Sequence, residues 1–89
     1  MYFVYILHCA DGTLYTGITN DLKKRLQAHN HAKHGARYTK TRRPVVLKYT
    51  EQKRNRGSAL KREYEIKTWS RTKKLALITQ GKKIRRKST

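Results

Sequence analysis

Five side chains in this chain of 89 residues have types, and positions relative to one another, that suit chemistry on phosphodiester bonds. They are Tyr5, Tyr15, Arg25, His29 and Glu63. Arg25 and His29 are four residues apart, so a helix would place them on one side. The chain carries 23 Lys and Arg against 5 Asp and Glu. Two tyrosines, an arginine, a histidine and a rare carboxylate on a strongly basic background suggest phosphodiester chemistry.

Each of these residues also has a purely structural interpretation. Tyrosine is favoured in strands, where most tyrosines only pack against their neighbours. Arg25 and His29 fit an exposed helix face. Glu63 fits an ordinary helical ion pair with Lys67, four residues later. Taken singly, the structural interpretations are the more common ones, so the chemical interpretation depends on the residues occurring together.

The scarcity of carboxylates limits the metal chemistry that the chain can support. The acidic residues are Asp11, Asp21, Glu51, Glu63 and Glu65. Asp11 fits a turn and Asp21 fits a helix cap, whereas a two-metal nuclease needs several converging carboxylates. If the chain cuts phosphodiester bonds, it should therefore use one Mg²⁺ on one carboxylate. A metal cluster of His29, His31 and His34, with or without the lone Cys9, is not indicated, because their spacing matches no zinc-binding pattern.

Composition predicts one small basic domain that binds a polyanion. The formal net charge is +18 and the hydrophobic content is 36%, so the core is small and self-repulsion is strong. Nucleic acid is the simplest partner for such a charge. An anionic membrane is the competing partner, but the helices are short and their apolar positions are needed for the core.

The same composition predicts a soluble cytoplasmic protein. A single cysteine allows no intrachain disulfide. The apolar run over residues 2–7 is too short for the core of a signal peptide. No stretch approaches the roughly 20 apolar residues of a membrane span.

Three strands are predicted, at residues 2–8, 14–19 and 45–50, because these runs are rich in β-branched and aromatic residues. A three-residue loop, Ala10 to Gly12, would place Tyr5 opposite Gly17 and put both tyrosines on one face. A two-residue loop would put them on opposite faces. We expect the three-residue loop, with Gly12 at positive φ, because that hairpin is common.

Three helices are predicted. The first is capped by Asn20 or Asp21 and runs to about Ala32. The second begins at Ser58 and runs to about Thr68, and the third begins at Ser70. The residues expected to face inward on the last two helices are Ala59, Leu60, Tyr64, Ile66, Leu75, Leu77 and Ile78. Residues 81–89 are expected to form a basic, disordered tail.

Four motifs in order resemble the GIY-YIG nuclease family, and most closely its small single-domain YhbQ-like bacterial group. Phe3-Val4-Tyr5 is similar to the first motif and Tyr15-Thr16-Gly17 to the second. Arg25 and His29 follow at the family's spacing, and residues 59–63 are similar to the helix that carries its metal-binding glutamate. Phe3 replaces the first motif's glycine and Thr16 replaces the second motif's isoleucine.

The resemblance implies an α+β fold over residues 1–80, a three-stranded antiparallel sheet flanked by helices. It also implies a single-metal endonuclease acting in DNA processing or repair. Glu63 would hold one Mg²⁺ or Mn²⁺. Tyr5, either as a phenolate favoured by nearby positive charge or aided by Tyr15, would deprotonate the attacking water. Tyr15 would position the water or phosphate. Arg25 would stabilise the transition state, and His29 would orient Tyr15 or the phosphate.

Basic side chains around this site are expected to bind nucleic acid, with DNA favoured over RNA. They are Lys24, Lys40, Arg42, Arg43, Arg62 and Lys67. Two other interpretations remain open from the sequence: a non-catalytic DNA- or RNA-binding protein on a nuclease scaffold, and a basic protein attached to ribosomes.

Overall fold

The structure is a computed structural model that describes residues 1–31 and 42–88. Three strands are present: β1 (Tyr2–Cys9), β2 (Leu14–Thr19) and β3 (Val45–Lys53). Three helices accompany them: α1 (Leu22–His31), α2 (Arg56–Lys67) and α3 (Arg71–Ser88). The sheet is antiparallel with the order β2-β1-β3. The predicted α+β class, with three antiparallel strands flanked by helices, is confirmed.

The hairpin between β1 and β2 has the predicted register. Tyr5 lies opposite Gly17 in the strand pairing. The Cys9 backbone N–H donates to the carbonyl of Thr13 at 2.9 Å, which closes a three-residue loop. Gly12 has φ +86°, a conformation that glycine adopts without steric cost. The loop length therefore places the two predicted tyrosines on one face of the sheet.

The central strand β1 separates two small apolar clusters, one on each face of the sheet. The cluster under α2 and α3 contains the buried residues Val4, Ile6, Ala59, Ile66 and Ile78. The cluster under α1 contains Tyr5, Leu7, Cys9 and Val45. Because side chains alternate along a strand, neighbouring residues of β1 serve different clusters. One of the predicted catalytic residues, Tyr5, is thus part of a core.

Helix α1 begins as expected, after Asp21, whose carboxylate accepts a hydrogen bond from the Lys24 backbone N–H at 3.1 Å. The start of α2 was predicted wrongly. Asn55 is its N-cap and accepts from the Ser58 backbone N–H at 2.8 Å, so the cap lies three residues before Ser58 and the helix begins at Arg56. Asparagine caps helices as well as serine does, so Asn55 can take the position that we assigned to Ser58.

The inward-facing residues were predicted only in part. Ala59, Ile66 and Ile78 are buried, but Tyr64 is 74% exposed and Leu60 is 38% exposed. Leu75 is also exposed. Ala59 and Ile66 are seven residues apart and define the buried stripe of α2, which leaves the row of Leu60 and Tyr64 on another side of the helix.

Helix α3 begins after Ser70, whose hydroxyl accepts from the Lys73 backbone N–H at 3.2 Å. It continues to Ser88, which differs from the disordered tail predicted from Gly81 onward. Apart from that glycine, the segment consists mainly of Lys, Arg and Ile, which a helix accommodates readily. Strand β3 is likewise longer than predicted and ends at Lys53. None of the described helices has the length and apolar character needed to cross a membrane.

Thr16 introduces a local defect into the cluster under α2. Its side chain is buried, it pairs across the strands with Ile6, and its hydroxyl has no hydrogen-bond partner among the described residues. A buried hydroxyl without a partner costs free energy of folding. Thr16→Val keeps the shape and removes the hydroxyl, so it should raise the free energy of unfolding by about 1 kcal/mol, measured by urea denaturation.

Thr19→Val is the matched control for that substitution. The Thr19 hydroxyl accepts from the Asp21 backbone N–H at 3.1 Å just before α1. Its removal should leave stability unchanged or lower it. If Thr16→Val were destabilising, the Thr16 hydroxyl would have to be bonded in solution.

Candidate active site

Tyr5 forms the centre of the predicted site. Its side chain is 2% exposed and lies across Gly17 on the neighbouring strand. A Cβ atom at Gly17 would lie 2.5 Å from the Tyr5 hydroxyl and 3.1 Å from Cε2 of Tyr15. The absence of a side chain at Gly17 therefore allows the two tyrosine rings to occupy this position.

The Tyr5 hydroxyl is hydrogen-bonded by two side chains from α1. It lies 2.8 Å from Nε2 of His29, and the Arg25 Nε–H donates to it at 3.4 Å. His29 is 1% exposed, so its ring belongs to the interior of the site. The four-residue spacing of Arg25 and His29 on α1 brings both to one phenol.

Tyr15 completes a cluster of three rings. Its ring centroid lies 6.4 Å from that of Tyr5 and 5.2 Å from that of His29, in an edge-on arrangement with the imidazole. Arg25 also hydrogen-bonds to Tyr15. We expected His29 to orient Tyr15 or the phosphate. In the structure its ring packs edge-on against Tyr15, and its Nε2 lies within hydrogen-bond distance of Tyr5.

Burial determines the protonation states of this cluster. It raises the pKa of Tyr5 above the usual 10, although the hydrogen bond from Arg25 opposes the shift. The expectation that nearby positive charge would favour a phenolate is thus wrong for the free protein, because desolvation outweighs it. Burial, with repulsion from Arg25 and Arg43, lowers the pKa of His29 to about 4. At neutral pH the Tyr5 phenol and the His29 imidazole are therefore both neutral, and the phenol oxygen lies 2.8 Å from Nε2.

The C-terminal end of α1 is fixed to the start of β3. Arg43 donates through Nε to the carbonyl of His29 and through Nη2 to that of Ala28 at 3.2 Å. Asn30 forms two hydrogen bonds with the backbone of Val45, at 2.8 and 3.1 Å. Arg43 was predicted to bind nucleic acid, but here it satisfies carbonyls at the helix end. Asn30 was not predicted, because its partner is 15 residues away in sequence.

Glu63 approaches the ring cluster from α2. Its charge is among the causes that raise the pKa of Tyr5, so the two side chains lie within electrostatic range. The carboxylate is half-buried and forms an ion pair with Lys67 at 3.4 Å. The pairing expected of an ordinary helix glutamate therefore coexists with an electrostatic interaction between Glu63 and Tyr5.

The donor set near Glu63 suits one hard divalent cation. No group of three or more His, Cys, Asp or Glu side chains forms a metal cage within residues 1–31 and 42–88. Mg²⁺ commonly binds proteins through one or two carboxylates and completes its shell with waters and substrate phosphates. A single partly exposed carboxylate, that of Glu63, therefore fits Mg²⁺ or Mn²⁺.

The basic residues predicted to bind nucleic acid have different surroundings. Lys24 is exposed on α1, beside Arg25. Arg42 forms an ion pair with Asp11 at 2.9 Å. Lys67 is half-exposed and pairs with Glu63. Lys40 lies outside the described residues.

Arg62 differs most from its predicted role. It donates to both carboxylate oxygens of Glu51, at 2.8 and 3.2 Å, and it also pairs with Glu65. Its guanidinium lies 5.1 Å from the centroid of the Trp69 ring. These contacts make it a structural link between β3 and α2, and they occupy the donors that a phosphate would need.

Comparison with known proteins agrees with this geometry. Residues 1–76 match the family model described as the GIY-YIG catalytic domain. The chain belongs to the GIY-YIG family. The predicted resemblance is confirmed, and the paired tyrosines, Arg25, His29 and Glu63 all lie within the matched range.

Relatives of similar length support the assignment to the GIY-YIG family. The UPF0213 protein SSP2268 of Staphylococcus saprophyticus is 55% identical over 80 residues, covering 90% of this chain and 96% of the relative. The UPF0213 protein DP2720 of Desulfotalea psychrophila is 54% identical over 82 residues, covering 92% and 74%. The solution NMR structure of the UPF0213 protein BH0048 from Bacillus halodurans is 41% identical, with a TM-score of 0.58, and covers 90% of this chain and 85% of that one.

GIY-YIG domains are nuclease domains, so membership indicates a nucleic-acid substrate. The family's two tyrosines and the second motif's glycine are present as Tyr5, Tyr15 and Gly17. Where the second motif has isoleucine, this GIY-YIG domain has Thr16, whose buried hydroxyl is the unpaired group in the cluster under α2.

Burial of a neutral His29 makes the stability of the domain depend on pH. The pKa of His29 is about 4 in the folded state, against 6.5 when unperturbed. As pH falls below 6.5, the unfolded state binds a proton that the folded state does not, so stability decreases until about pH 4. Between pH 7 and pH 5 we expect a loss of about 2 kcal/mol in the free energy of unfolding.

Urea denaturation at pH 7, 6 and 5 measures this loss. His29→Gln should flatten the profile, and His8→Gln, which leaves His29 in place, should keep the wild-type slope. The window stops at pH 5 because two carboxylates begin to lose their contribution to stability below it. Hydrogen bonds from Thr13 lower the pKa of Asp11. Burial raises the pKa of Glu51, but hydrogen bonds from Arg62, Tyr49 and Lys53 outweigh it and leave that pKa low. An unchanged slope in His29→Gln would contradict the buried neutral imidazole.

Proposed function

We propose that this GIY-YIG domain is a metal-dependent endonuclease that hydrolyses phosphodiester bonds with one divalent cation. The observation that carries the proposal is the hydrogen-bonded set of Arg25, Tyr5 and His29, with Glu63 within electrostatic range of the phenol. His29 is a proton acceptor and Arg25 a fixed cation, and both contact the Tyr5 phenol. Glu63 adds a carboxylate within electrostatic range of it. The net charge of +18 supplies affinity for the polyanionic substrate.

Tyr5 and His29 act together in removing a proton from the attacking water. The phenol oxygen accepts the water proton as its own proton passes to Nε2 of His29, across a distance of 2.8 Å. The resulting hydroxide attacks phosphorus, and the imidazole ends the step as imidazolium. The negative charge of the bound phosphate counters the repulsion from Arg25 and Arg43, so binding of the substrate raises the pKa of His29 toward the range useful for a base.

Arg25 stabilises the charge that develops on phosphorus. Its guanidinium is held beside Tyr5 by the hydrogen bond to the phenol, and its remaining N–H donors can bind two phosphate oxygens. Tyr15, also hydrogen-bonded to Arg25, positions the water or the phosphate. Lys24, exposed one residue earlier on α1, contacts the backbone next to the cleaved bond.

Glu63 is the residue that would hold Mg²⁺ or Mn²⁺ at this site. A bound divalent cation polarises the scissile phosphate and neutralises the leaving oxygen. Lys67 neutralises Glu63 in the free protein, and it would be free to bind a phosphate if the carboxylate held the cation instead. A small nuclease domain that cuts DNA would act in DNA processing or repair, and we include this role in the proposal.

The test is a cleavage panel on the purified protein. Branched, single-stranded and duplex DNA, and RNA of the same sequences, are incubated with Mg²⁺, with Mn²⁺ and with EDTA. We expect nicking of DNA with either cation and none with EDTA. A Tyr5→Phe protein purified in parallel identifies any contaminating nuclease. Tight binding without nicking of any substrate would favour a non-catalytic nucleic-acid-binding protein, and preferential binding of RNA would favour a ribosome-associated one.

A further inference from the structure

Helix α2 exposes one large aromatic side chain beside the proposed site. Tyr64 is 74% exposed, whereas the other tyrosines among the described residues are buried or half-buried. Leu60, one turn earlier, is 38% exposed. Both residues were expected in the core, and neither is needed there, because Ala59 and Ile66 fill the inner side of the helix.

The surroundings of Tyr64 are cationic. Lys61 and Lys67 lie three residues before and after it on the helix, so their side chains flank the ring on the same side. Both lysines are exposed. An aromatic ring between two lysines, on a chain of net charge +18, is complementary to a nucleotide, with its flat base and its phosphate.

This exposed ring lies at the rim of the proposed active site. Tyr64 directly follows Glu63, and Lys67 pairs with the Glu63 carboxylate at 3.4 Å. Consecutive helical residues diverge by about 100° around the axis, so the exposed Tyr64 projects to solvent next to Glu63, which lies within electrostatic range of Tyr5. A strand whose phosphate lies at Glu63 therefore passes Tyr64.

We propose that Tyr64, flanked by Lys61 and Lys67, is a stacking platform for an unpaired base of the substrate strand. The proposal rests on the proposed function for the position of the strand, but the stacking itself is a binding property. In a duplex both faces of each base are covered by neighbouring bases, so only an unpaired base can stack on the ring. The platform thus selects substrates with an unpaired nucleotide next to the cleaved bond.

Other partners fit this surface less well. Leu60 and Tyr64 expose too little apolar area for a stable protein interface, which buries about 800 Å² on each partner. An anionic membrane would require a continuous apolar face of large residues. Tyr64 is instead flanked by two lysines, Lys61 and Lys67. A nucleotide fits both features, because its base can stack on the Tyr64 ring and its phosphate can pair with the flanking lysines.

Binding without cleavage tests the platform. A fluorescein-labelled 15-nucleotide single strand and its duplex are titrated with wild type, Tyr64→Ala and Tyr64→Phe in EDTA. One lost stacking contact is worth about 1–3 kcal/mol, so Tyr64→Ala should bind the single strand roughly 5- to 150-fold more weakly. Its affinity for the duplex should be unchanged. Tyr64→Phe, which keeps the ring, should bind both as wild type does.

Two controls separate stacking from other effects. Leu75→Ala removes another exposed apolar side chain, on α3, and should leave both affinities unchanged. A strand of abasic residues offers no base, so Tyr64→Ala and wild type should bind it equally. Equal losses on single strand and duplex, or no loss on either, would overturn the proposal.

The outcome is independent of catalysis. A protein that nicks DNA in the cleavage panel but shows no effect of Tyr64→Ala is a nuclease without this platform. A protein that shows the effect but never nicks is a binding protein with it.

Discussion

Gly17→Ala is expected to reduce cleavage by at least about 100-fold and to destabilise the fold by about 1–3 kcal/mol. The added methyl group would lie 2.5 Å from the Tyr5 hydroxyl and 2.7 Å from Cζ. Neither the strand nor the ring can yield freely. Gly17 is paired with Tyr5 in the sheet, and the Tyr5 hydroxyl is held by His29 and Arg25.

We expect the Tyr5 ring to rotate away from β2 and so relieve the clash, because moving a side chain costs less energy than moving a paired backbone. That movement lengthens the 2.8 Å distance between Tyr5 and His29, along which the proton passes. A displacement of about 1 Å at a reacting group suffices for a 100-fold loss. The initial rate of nicking and urea denaturation of the same preparation measure the two effects.

Gly57→Ala is the matched control. A Cβ at Gly57 would meet Oδ1 of Asn55 at 3.5 Å, an ordinary van der Waals distance. Alanine also favours the helix, so this variant should be as stable as wild type or slightly more stable. Its cleavage rate should be that of wild type. If Gly17→Ala behaved like Gly57→Ala, the close packing of Tyr5 against β2 would not matter to catalysis.

The part of the site that depends on local geometry could be predicted from sequence. Loop length and one positive-φ glycine determine the hairpin register, and the register places Tyr5 over Gly17. The spacing of Arg25 and His29 determines that one helix face presents both. The hairpin register and the shared helix face each depend on residues that are close in sequence. They can therefore be predicted from residue types alone.

The remaining features depend on partners that are distant in sequence. Arg43 and Asn30 fix the end of α1 through hydrogen bonds to residues 14 and 15 positions away in sequence. The N–H donors of Arg62 on α2 are bonded to Glu51 on β3. A count of positive charges cannot distinguish such arginines from phosphate-binding ones. The pKa of Tyr5 was also misjudged, because burial depends on how the whole domain packs.

The contacts of Arg62 have a consequence for the candidate metal ligand. Glu51 accepts from Arg62 on α2 and from the Tyr49 hydroxyl on β3, at 2.8 and 2.9 Å. Burial and the bond to Glu51 raise the pKa of Tyr49 to about 12, so this hydroxyl remains a donor over the working pH range. Helix α2 is thereby fixed to the sheet independently of Glu63. Substitution of Glu63 should remove a carboxylate without moving the helix.

Glu63→Ala is accordingly expected to lose metal-dependent cleavage while it retains binding. Loss of several kcal/mol of transition-state stabilisation corresponds to a decrease on the order of 10³-fold in rate. The substitution removes no positive charge and frees Lys67 from its ion pair, so affinity for DNA should equal or slightly exceed that of wild type. Nicking rates in Mg²⁺ and equilibrium binding in EDTA provide the comparison.

Glu65→Ala is the control for charge and helix composition. Glu65 lies two residues later on the same helix, is exposed, and pairs with Arg62, away from the ring cluster. Both variants change the net charge by +1, so a general electrostatic effect would appear in both. Retained cleavage in Glu65→Ala, with cleavage lost in Glu63→Ala, assigns the loss to the position of the carboxylate. If Glu63→Ala lost binding and cleavage equally, Glu63 would be supporting the nucleic-acid surface, and the metal would have to be held elsewhere.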